Sequence, residues 1–433
     1  MLIIRRLIVC GLIILWSFAS QAYAAEDLPA TIPVGTKITM RNWQQYRQFM
    51  PDGMSELFEG KFFWKMPADV EMNMGPTRAF APPPGFVLAT EKYGGQTQAV
   101  VLPDGRHDLK NYVGGLPFPN PSEPNKGWKI LANDWLPPAA WIYAGTPETG
   151  LLTGCGQDKL HNLGCSKLAF VYRQLGFLTY PDHPRSEGTG DVYLTEWSMV
   201  EEPEEFKYIT ELTIFYQDVK REEDNYVFLP ALRRSLRTAT TARCAPAGGG
   251  DFTKDDVRAG FNGGISDFDA QFLRDQQILG LTDLTTNDSI FPQNWDMALG
   301  WPKPSWGPWS LRDVWVIDVR RIPQLTLGYC YGKRIMYVDK KFAHELWSDL
   351  YDVNMKLWKV FTIEASSKVI NGVGTSILTT LAGEMWDVQN DHSTIFFTAA
   401  GPGRDVMVND EVPKQYLDIP RYSTPSGLME IMQ

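Results

Sequence analysis

The sequence predicts a mainly β protein of the α+β class, built on a large antiparallel sheet. From Asp191 onward, several runs are rich in β-branched and aromatic residues and alternate in part between apolar and polar positions, as half-buried strands do. Short breaks separate these runs, so consecutive strands are expected to pair as a meander. The predicted strands cover residues 206–216, 226–229, 314–319, 334–339 and 357–363.

Helices are expected at only a few places. Proline and glycine clusters between residues 81 and 119 favour short strands joined by ordered loops. Apolar residues at three- and four-residue spacing predict helices over 41–50 and 125–135. A third helix is predicted over 269–279, ended by Gly280. The few helices should therefore flank or plug the sheet.

The loop 299–311 combines three tryptophans with three prolines, which do not form a regular element. It is predicted either to pack across the sheet as a lid or to plug its end, and its tryptophans look exposed. The sequence shows neither an internal repeat nor a clear interdomain linker. Residues 25–433 are therefore predicted to form a single large domain.

The first residues predict export. Arg5 and Arg6 precede the apolar run 7–19, and Ala22-Tyr23-Ala24 gives a small-x-small cleavage pattern, so residues 1–24 are predicted to be a signal peptide. The expected location is the periplasm, with association with the outer membrane as a possibility. The formal net charge of −10 argues against a nucleic-acid partner, whose phosphates require clustered positive charge.

Four cysteines lie beyond the signal peptide, and an even number in an oxidising compartment favours disulfides. We predict the pairs Cys155–Cys165 and Cys244–Cys330, each contributing about 2–4 kcal/mol to stability. A metal site is not predicted, because paired Cys-x-x-Cys motifs are absent and His161 is a lone candidate ligand.

The stretch 225–237 places an apolar strand before Pro230, which cannot donate to a ladder and should end the strand. Arg233, Arg234 and Arg237 follow within this block. Two interpretations are equally open at this point. The arginines are either solvated side chains at a strand end or a group that contacts a ligand or a partner.

Several blocks, taken in order, resemble domain-of-unknown-function family 1329, a family similar to outer-membrane lipoprotein-sorting proteins. The matching blocks are 117–119 with the helix around Trp128, 226–237, 251–256, 261–263, 314–319, 331–339 and 357–359. The resemblance implies a strongly curved antiparallel sheet forming an incomplete barrel, with a few helices plugging its open side and acyl chains held on its concave face.

The resemblance also implies a function: a periplasmic binding or carrier protein for a lipid or other hydrophobic ligand, serving transport to or assembly of the outer membrane. The alternative is a non-enzymatic docking or accessory protein of an outer-membrane barrel or a hydrophobe exporter. The arginine group would then meet an anionic head group or a partner. Ordinary core packing is the competing interpretation for each candidate ligand-binding residue. These candidates are Tyr226, Phe228, Trp315, Ile317, Met336, Val338 and Trp358.

No enzyme is predicted. The sequence contains no Gly-x-Ser-x-Gly elbow, phosphate loop or His-Glu-x-x-His motif, and no cofactor is implied. The five histidines, His107, His161, His183, His344 and His392, do not have metal-ligand spacing. Helix capping by Thr253, with Asp255 and Asp256 in the first turn, is the preferred interpretation of the acidic cluster around 251–269. A carbohydrate-binding or carbohydrate-hydrolysing protein is a third hypothesis. The two catalytic carboxylates of a glycosidase can be distant in sequence, so the absence of a local motif does not exclude it.

Overall fold

The computed structural model describes residues 31–77, 81–179, 189–238, 243–258, 260–282, 293–369, 376–398 and 406–430. The side chains of 366–369 and 376–381 are outside this description. The proposed signal peptide and His183 also lie outside the described residues. Among the described helices, none combines the length and the apolar run needed to span a membrane.

The structure contains short helices and many strands. The helices are α1 (Asp52–Phe58), α2 (Pro84–Tyr93), α3 (Lys126–Trp135) and α4 (Ile419–Tyr422). The strands are β1 (Lys37–Thr39), β2 (Glu71–Asn73), β3 (Gln98–Val101), β4 (His107–Lys110), β5 (Ile142–Gly145), β6 (Leu152–Asp158), β7 (Leu163–Gln174), β8 (Val192–Glu202), β9 (Thr210–Tyr216), β10 (Asp224–Leu229), β11 (Arg234–Thr238), β12 (Phe268–Gly280), β13 (Trp295–Asp296), β14 (Trp301–Pro302), β15 (Ser310–Arg321), β16 (Tyr331–Asp339), β17 (His344–Asp352), β18 (Leu357–Val369), β19 (Ser376–Asp387), β20 (His392–Phe397) and β21 (Met407–Val408).

Within the described residues, 15 strands form one antiparallel sheet. Strands β6–β11 form one meander, and β12 with β15–β20 form a second. The two meanders are joined where β6 pairs with β20. The outermost strands, β11 and β12, are not paired with each other in the described structure, so the sheet is open. The predicted fold class, an incomplete antiparallel barrel with few helices, is confirmed.

A single stretch of chain, residues 243–267, crosses one face of the sheet and contacts both meanders; we call it the crossing segment. Its Arg258 faces Glu196 on β8 of the first meander, with 3.8 Å between Nε and Oε1. Arg334, on β16 of the second meander, donates to the carbonyl of Gly260 at 2.5 Å. The sheet therefore curls around the crossing segment. We call this covered side the inner face and the opposite side the outer face.

The outer face is covered by other segments. The C-terminal residues 406–430 pack on the first meander, where Tyr422 meets Trp197 edge to face at 5.0 Å between ring centroids. The loop 299–311 packs on the second meander, where Trp301 lies 5.9 Å from Trp386. All three tryptophans of this loop are buried. The loop is therefore a cover, and the expectation that its tryptophans are exposed was wrong.

The helix predictions had mixed outcomes. The helix over 125–135 is confirmed as α3, and residues 41–50 contain a 3-10 helix, Trp43–Phe49. The prediction of a helix over 269–279 was wrong, because these residues form β12. Phe268 and Ala270 are buried while Asp269 is exposed, which is the two-residue period of a strand. Pairing with β15 over most of its length outweighed the helix-favouring Gln, Leu and Arg residues.

Candidate functional site

The inner face of the second meander carries a continuous layer of apolar side chains, which we call the inner apolar layer. Strand alternation places one side chain in two on this face. Its members on β15–β19 are all buried: Ile317, Val319, Met336, Val338, Leu350, Phe361, Ile363 and Met385. Aromatic and aliphatic side chains of α3 and of the crossing segment pack on the layer and fill the space above it. The layer is therefore closed in this structure.

Helix α3 is held on the layer by specific polar contacts as well as by burial. The side-chain amide of Asn133 donates to the carbonyl of Phe118 at 2.8 Å and accepts from its N–H at 2.9 Å. The indole N–H of Trp128 donates to the carbonyl of Ile265 at 2.9 Å. These contacts tie the plugging helix to its neighbours, because buried polar groups require partners.

The approach of α3 to the edge strand β12 depends on a glycine. A Cβ atom at Gly127 would lie only 2.2 Å from the carbonyl oxygen of Ala270. The helix backbone therefore rests directly on the strand backbone, and any larger residue at position 127 would displace α3.

Two small clefts reach the carboxyl end of α3 from different sides. Trp135 and Phe215 line the first, together with Lys220, Glu223 and Arg243 of the neighbouring loops. The second is lined by aromatic and apolar side chains, among them Phe86, Tyr112, Leu136, Phe177 and Tyr193. Both clefts border residues of the apolar cluster beneath α3.

Buried ion pairs fix the crossing segment to the inner face. Arg334 pairs with Asp256 at 2.5 Å, and the hydroxyl of Tyr331 donates to the same carboxylate at 2.6 Å. Arg243 pairs with both Asp255, at 2.5 Å, and Glu223, at 2.8 Å. Burial raises the pKa of Asp255, while the facing Arg243 opposes that shift. Removal of one partner of such a pair would leave an uncompensated buried charge, so both partners are needed to keep the crossing segment in place.

Glu345 is the most unusual titratable group next to α3. Its backbone N–H donates to Asp134 of α3 at 2.7 Å. Its carboxylate is fully buried. Burial raises the pKa of Glu345, although Arg334 acts in the opposite direction. The surroundings of the side chain therefore favour its protonated form more than water does.

Both predicted disulfides are present. Cys155 and Cys165 face each other across β6 and β7, with 4.1 Å between their Cα atoms. Cys244 and Cys330, 5.7 Å apart, tie the start of the crossing segment to the turn that precedes β16. The second disulfide thus restrains one end of the crossing segment.

The seven candidate ligand-binding residues fall into two groups. Trp315, Ile317, Met336, Val338 and Trp358 belong to or pack on the inner apolar cluster. Tyr226 and Phe228 belong to a different cluster, which the C-terminal segment covers on the outer face. Tyr226, Trp315 and Trp358 are half-buried, and the other four are buried. The face on which each side chain lies depends on pairing partners that are distant in sequence.

The three arginines of the predicted group, Arg233, Arg234 and Arg237, have different surroundings. Arg237 pairs with Asp224 on the adjacent strand β10. Arg233 has a left-handed backbone conformation (φ 48°) at the turn between β10 and β11, and Arg234 is the exposed first residue of β11. No ion pair of Arg233 or Arg234 is found among the described residues. These two guanidinium groups remain available to an external anion.

The acidic cluster does not cap a helix. Residues 253–258 form a turn in which the N–H and the hydroxyl of Thr253 both donate to Asp256 at 2.8 Å. Asp251 accepts from Thr394 and lies 2.7 Å from Nδ1 of His392. Within the described ranges, no three His, Cys, Asp or Glu side chains are placed to hold a metal ion. The capping interpretation was wrong because these carboxylates face basic and hydroxyl groups across the inner face.

Sequence reasoning missed the buried charged residues of the strands and loops. Arg243, Glu223 and Glu345 contribute to the inner face, and Glu364 and Glu384 are buried elsewhere in the second meander. The sequence does contain a signal for Glu364 and Glu384, because each interrupts an apolar strand pattern. Their partners could not be read from the sequence.

Several solved structures are similar to this chain, including the following three. One is a putative outer membrane lipoprotein-sorting protein domain from Vibrio parahaemolyticus, with 14% identity, a TM-score of 0.45, and coverage of 67% of this chain and 95% of that chain. A DUF1329 family protein from Desulfovibrio piger has 12% identity and a TM-score of 0.46, covering 70% and 100%. A LolA superfamily protein from Nitrosomonas europaea has 15% identity and a TM-score of 0.33, covering 63% and 91%.

No curated protein matches the chain. The family match is extensive, since it runs over residues 37–428 and so includes the sheet, α3 and the crossing segment. It also includes every block that carried the resemblance in the sequence. The chain belongs to the family described as "Protein of unknown function (DUF1329)".

Proposed function

We propose that this protein is a non-enzymatic periplasmic carrier, which binds a lipid or other hydrophobic molecule on the inner apolar layer. Its task would be transport to, or assembly of, the outer membrane. The observation that carries this proposal is the inner apolar layer itself. An open sheet presents apolar side chains of five neighbouring strands on one face, and a helix of ten residues plugs that face.

Hydrophobic burial supplies the driving force for such binding. Each methylene group transferred from water to an apolar surface contributes about 0.8 kcal/mol. The sheet offers this surface without loss of backbone hydrogen bonds, because its strands remain paired. In the closed state Trp128 and Leu131 occupy the layer, so a ligand must displace α3. The two clefts at the carboxyl end of α3 are the proposed points of entry.

Export is a separate part of the proposal. It is supported by the basic, apolar and small-residue pattern of residues 1–24 and by the two disulfides, which persist in oxidising compartments.

A docking or accessory role is the second candidate function. It is favoured by the closed state of the inner apolar layer, in which Trp128, Ile130 and Leu131 are fully buried. A protein of this type would keep α3 in place and act through its surface, with an outer-membrane barrel or a hydrophobe exporter as partner.

Native mass spectrometry of the protein, purified from periplasm without detergent, separates the two candidates. A carrier should show a stoichiometric hydrophobic adduct, which lipid extraction of the same sample identifies. An unliganded mass that does not change on incubation with envelope lipids would contradict the carrier function and favour docking.

The ligand position can be mapped with a fatty acid that carries a photoreactive diazirine. We expect crosslinks on β15–β19 and on α3, within the inner apolar layer. Peptides of the C-terminal segment, which covers the outer apolar cluster around Phe228, serve as the internal control. Crosslinks concentrated on that segment would contradict the proposed site.

A further inference from the structure

The register of the large sheet places six of its hairpin connections at the same end. Pairing of Phe228 with Thr210, and of Lys167 with Glu202, sets the β10–β11, β8–β9 and β6–β7 turns side by side. The second meander continues this row, with Tyr331 opposite Asp352 and Lys359 opposite Asp387. We call this row the turn rim. It comprises residues 159–162, 203–209, 230–233, 322–330, 353–356 and 388–391.

The turn rim exposes large apolar side chains in five of these six described turns. Its exposed members, with their fractional exposure, are Leu160 (73%), Phe206 (54%), Tyr208 (40%), Leu232 (50%), Leu327 (100%), Val353 (63%) and Met355 (47%). At the opposite end of the sheet, the described turns 217–223 and 340–343 expose no large apolar side chain to this degree. Single exposed apolar residues are ordinary on protein surfaces, but a row of them on successive turns at one end is not a random scatter.

These side chains contribute little to the fold. Leu327 is fully exposed, and more than half of Leu160, Phe206 and Val353 is in contact with solvent. An apolar side chain that stays in water in the folded protein gains no burial energy. Their placement is therefore better explained by a contact outside the molecule.

The spacing of the row indicates what kind of contact this is. Neighbouring strands are about 4.8 Å apart, so the turn rim extends for about 50 Å along the sheet. Binding energy in a protein–protein interface concentrates in a compact, well-packed centre. Separate apolar side chains along a curved rim instead suit the fluid interface of a bilayer, which adapts to each side chain.

Charged residues in the turn rim and directly beside it fit the same contact. Arg233 and Arg234 are exposed beside Leu232, and Lys207 lies between Phe206 and Tyr208. Long basic side chains at a membrane surface place their apolar stems in the interface and their charge at the phosphates. Exposed acidic residues such as Glu204 balance them, so attraction between net charges is not the main force.

We propose that the turn rim is a membrane-docking surface, whose apolar side chains insert into the interfacial region of a lipid bilayer. This inference goes beyond the proposed function and holds whether or not the inner apolar layer accepts a ligand. It places the start of the crossing segment, at Cys244–Cys330, next to the lipid.

The test is flotation of the full-length mature protein with vesicles of phosphatidylethanolamine and phosphatidylglycerol. The rim variant carries Phe206→Ser, Leu232→Ser and Leu327→Ser. The matched control carries Val34→Ser, Val87→Ser and Leu88→Ser, which are also exposed (66%, 37% and 64%). Val34 lies in the segment next to Met74 and Trp309, and α2 shares a cleft with Phe177, so both control sites are away from the turn rim.

We expect the rim variant to partition onto vesicles about tenfold or more weakly than the wild type, and the control to bind as the wild type does. Raising the salt concentration should change wild-type binding by less than about threefold, because apolar insertion is not screened. Equal melting temperatures would show that all three proteins are folded.

A wild-type protein that stays off the vesicles, or equal losses in the rim and control variants, would overturn the proposal. So would a rim variant whose main defect in sedimentation velocity is lost self-association, since the rim would then join copies of this chain. Binding of the diazirine fatty acid, measured on the same variants, keeps the two proposals separate. Vesicle binding can be lost while fatty-acid binding is intact, and fatty-acid binding can be lost while vesicle binding is intact.

Discussion

Arg334 on β16 and Asp256 on the crossing segment form a buried ion pair, with 2.5 Å between Nη2 and Oδ1. The two residues are 78 positions apart in the sequence. The guanidinium also donates to the carbonyl of Gly260, so one side chain fixes two points of the crossing segment. This contact links the middle of the crossing segment to the floor of the inner face.

Breaking this pair should be costly. We expect Asp256→Asn to lower the free energy of unfolding by about 3–5 kcal/mol, because Arg334 would remain buried without its counter-charge. Urea denaturation measures the change. The control is Lys37→Met, which breaks the exposed pair with Glu71 and should change stability by less than about 1 kcal/mol. Equal effects of the two substitutions would contradict the structural role of the buried pair.

The fully buried Glu364 predicts a dependence of stability on pH. Burial raises its pKa from 4.5 to about 8, so the folded state binds a proton more tightly than the unfolded state does. Protonated Glu364 contributes its full stabilisation at pH values below its pKa in the unfolded chain. This contribution is lost as the pH rises towards the pKa of Glu364 in the folded protein. The melting temperature should therefore fall between about pH 5 and pH 8. Glu364→Gln should flatten this fall, whereas Glu205→Gln, at an exposed position, should not.

The two disulfides should differ in their effect on stability. Their cysteines are separated by 86 positions for Cys244–Cys330 and by 10 for Cys155–Cys165. Loop-closure entropy predicts that replacing both cysteines of a pair with serine costs about 4.6 kcal/mol for the first and about 2.7 kcal/mol for the second. Denaturation of the two double variants tests the order. The reverse order would show that restraint of the crossing segment adds little.

Gly127 provides a test of the plug. An alanine in a helix usually stabilises relative to glycine by about 1 kcal/mol. We expect the opposite sign for Gly127→Ala, because the new Cβ would collide with the Ala270 carbonyl and push α3 off β12. Stability should fall, and uptake of a fluorescent fatty acid should become faster. The control Gly95→Ala adds a Cβ that meets nothing within 4 Å. Slower or unchanged uptake in Gly127→Ala would contradict the role of α3 as the plug.

The paired substitution Arg233→Ala with Arg234→Ala tests the free arginines. Both are exposed, so thermal stability should change by no more than about 0.5 kcal/mol. Flotation with the same vesicles should weaken by less than about threefold, because apolar insertion supplies most of the binding. Arg237→Ala is the comparison, because Arg237 is already paired with Asp224. A large loss of stability in the double variant would assign the arginines to the structure of the turn.

The sequence predicted those features that depend on local periodicity. Helix α3 followed from the spacing of Trp128, Leu131 and Trp135, and most strands followed from β-branched and aromatic runs. Strand β12 was misread because its residues favour a helix and its partner β15 begins 30 positions after it ends. Long-range contacts were not predictable for the same reason. Neither the pairing of Asp256 with Arg334 nor the face occupied by Phe228 is encoded within a few residues.

The seam between β6 and β20 determines when the protein can fold. Thr153 pairs with Phe397, so the seam joins residues that are far apart in the sequence, whereas each meander pairs mostly consecutive strands. The first meander can form early during synthesis, but its edge at β6 must wait until the chain has emerged past Phe397. Contacts of such high sequence separation form slowly. A nascent chain therefore exposes an unpaired strand edge until β20 is released, and this interval is when a chaperone would be needed.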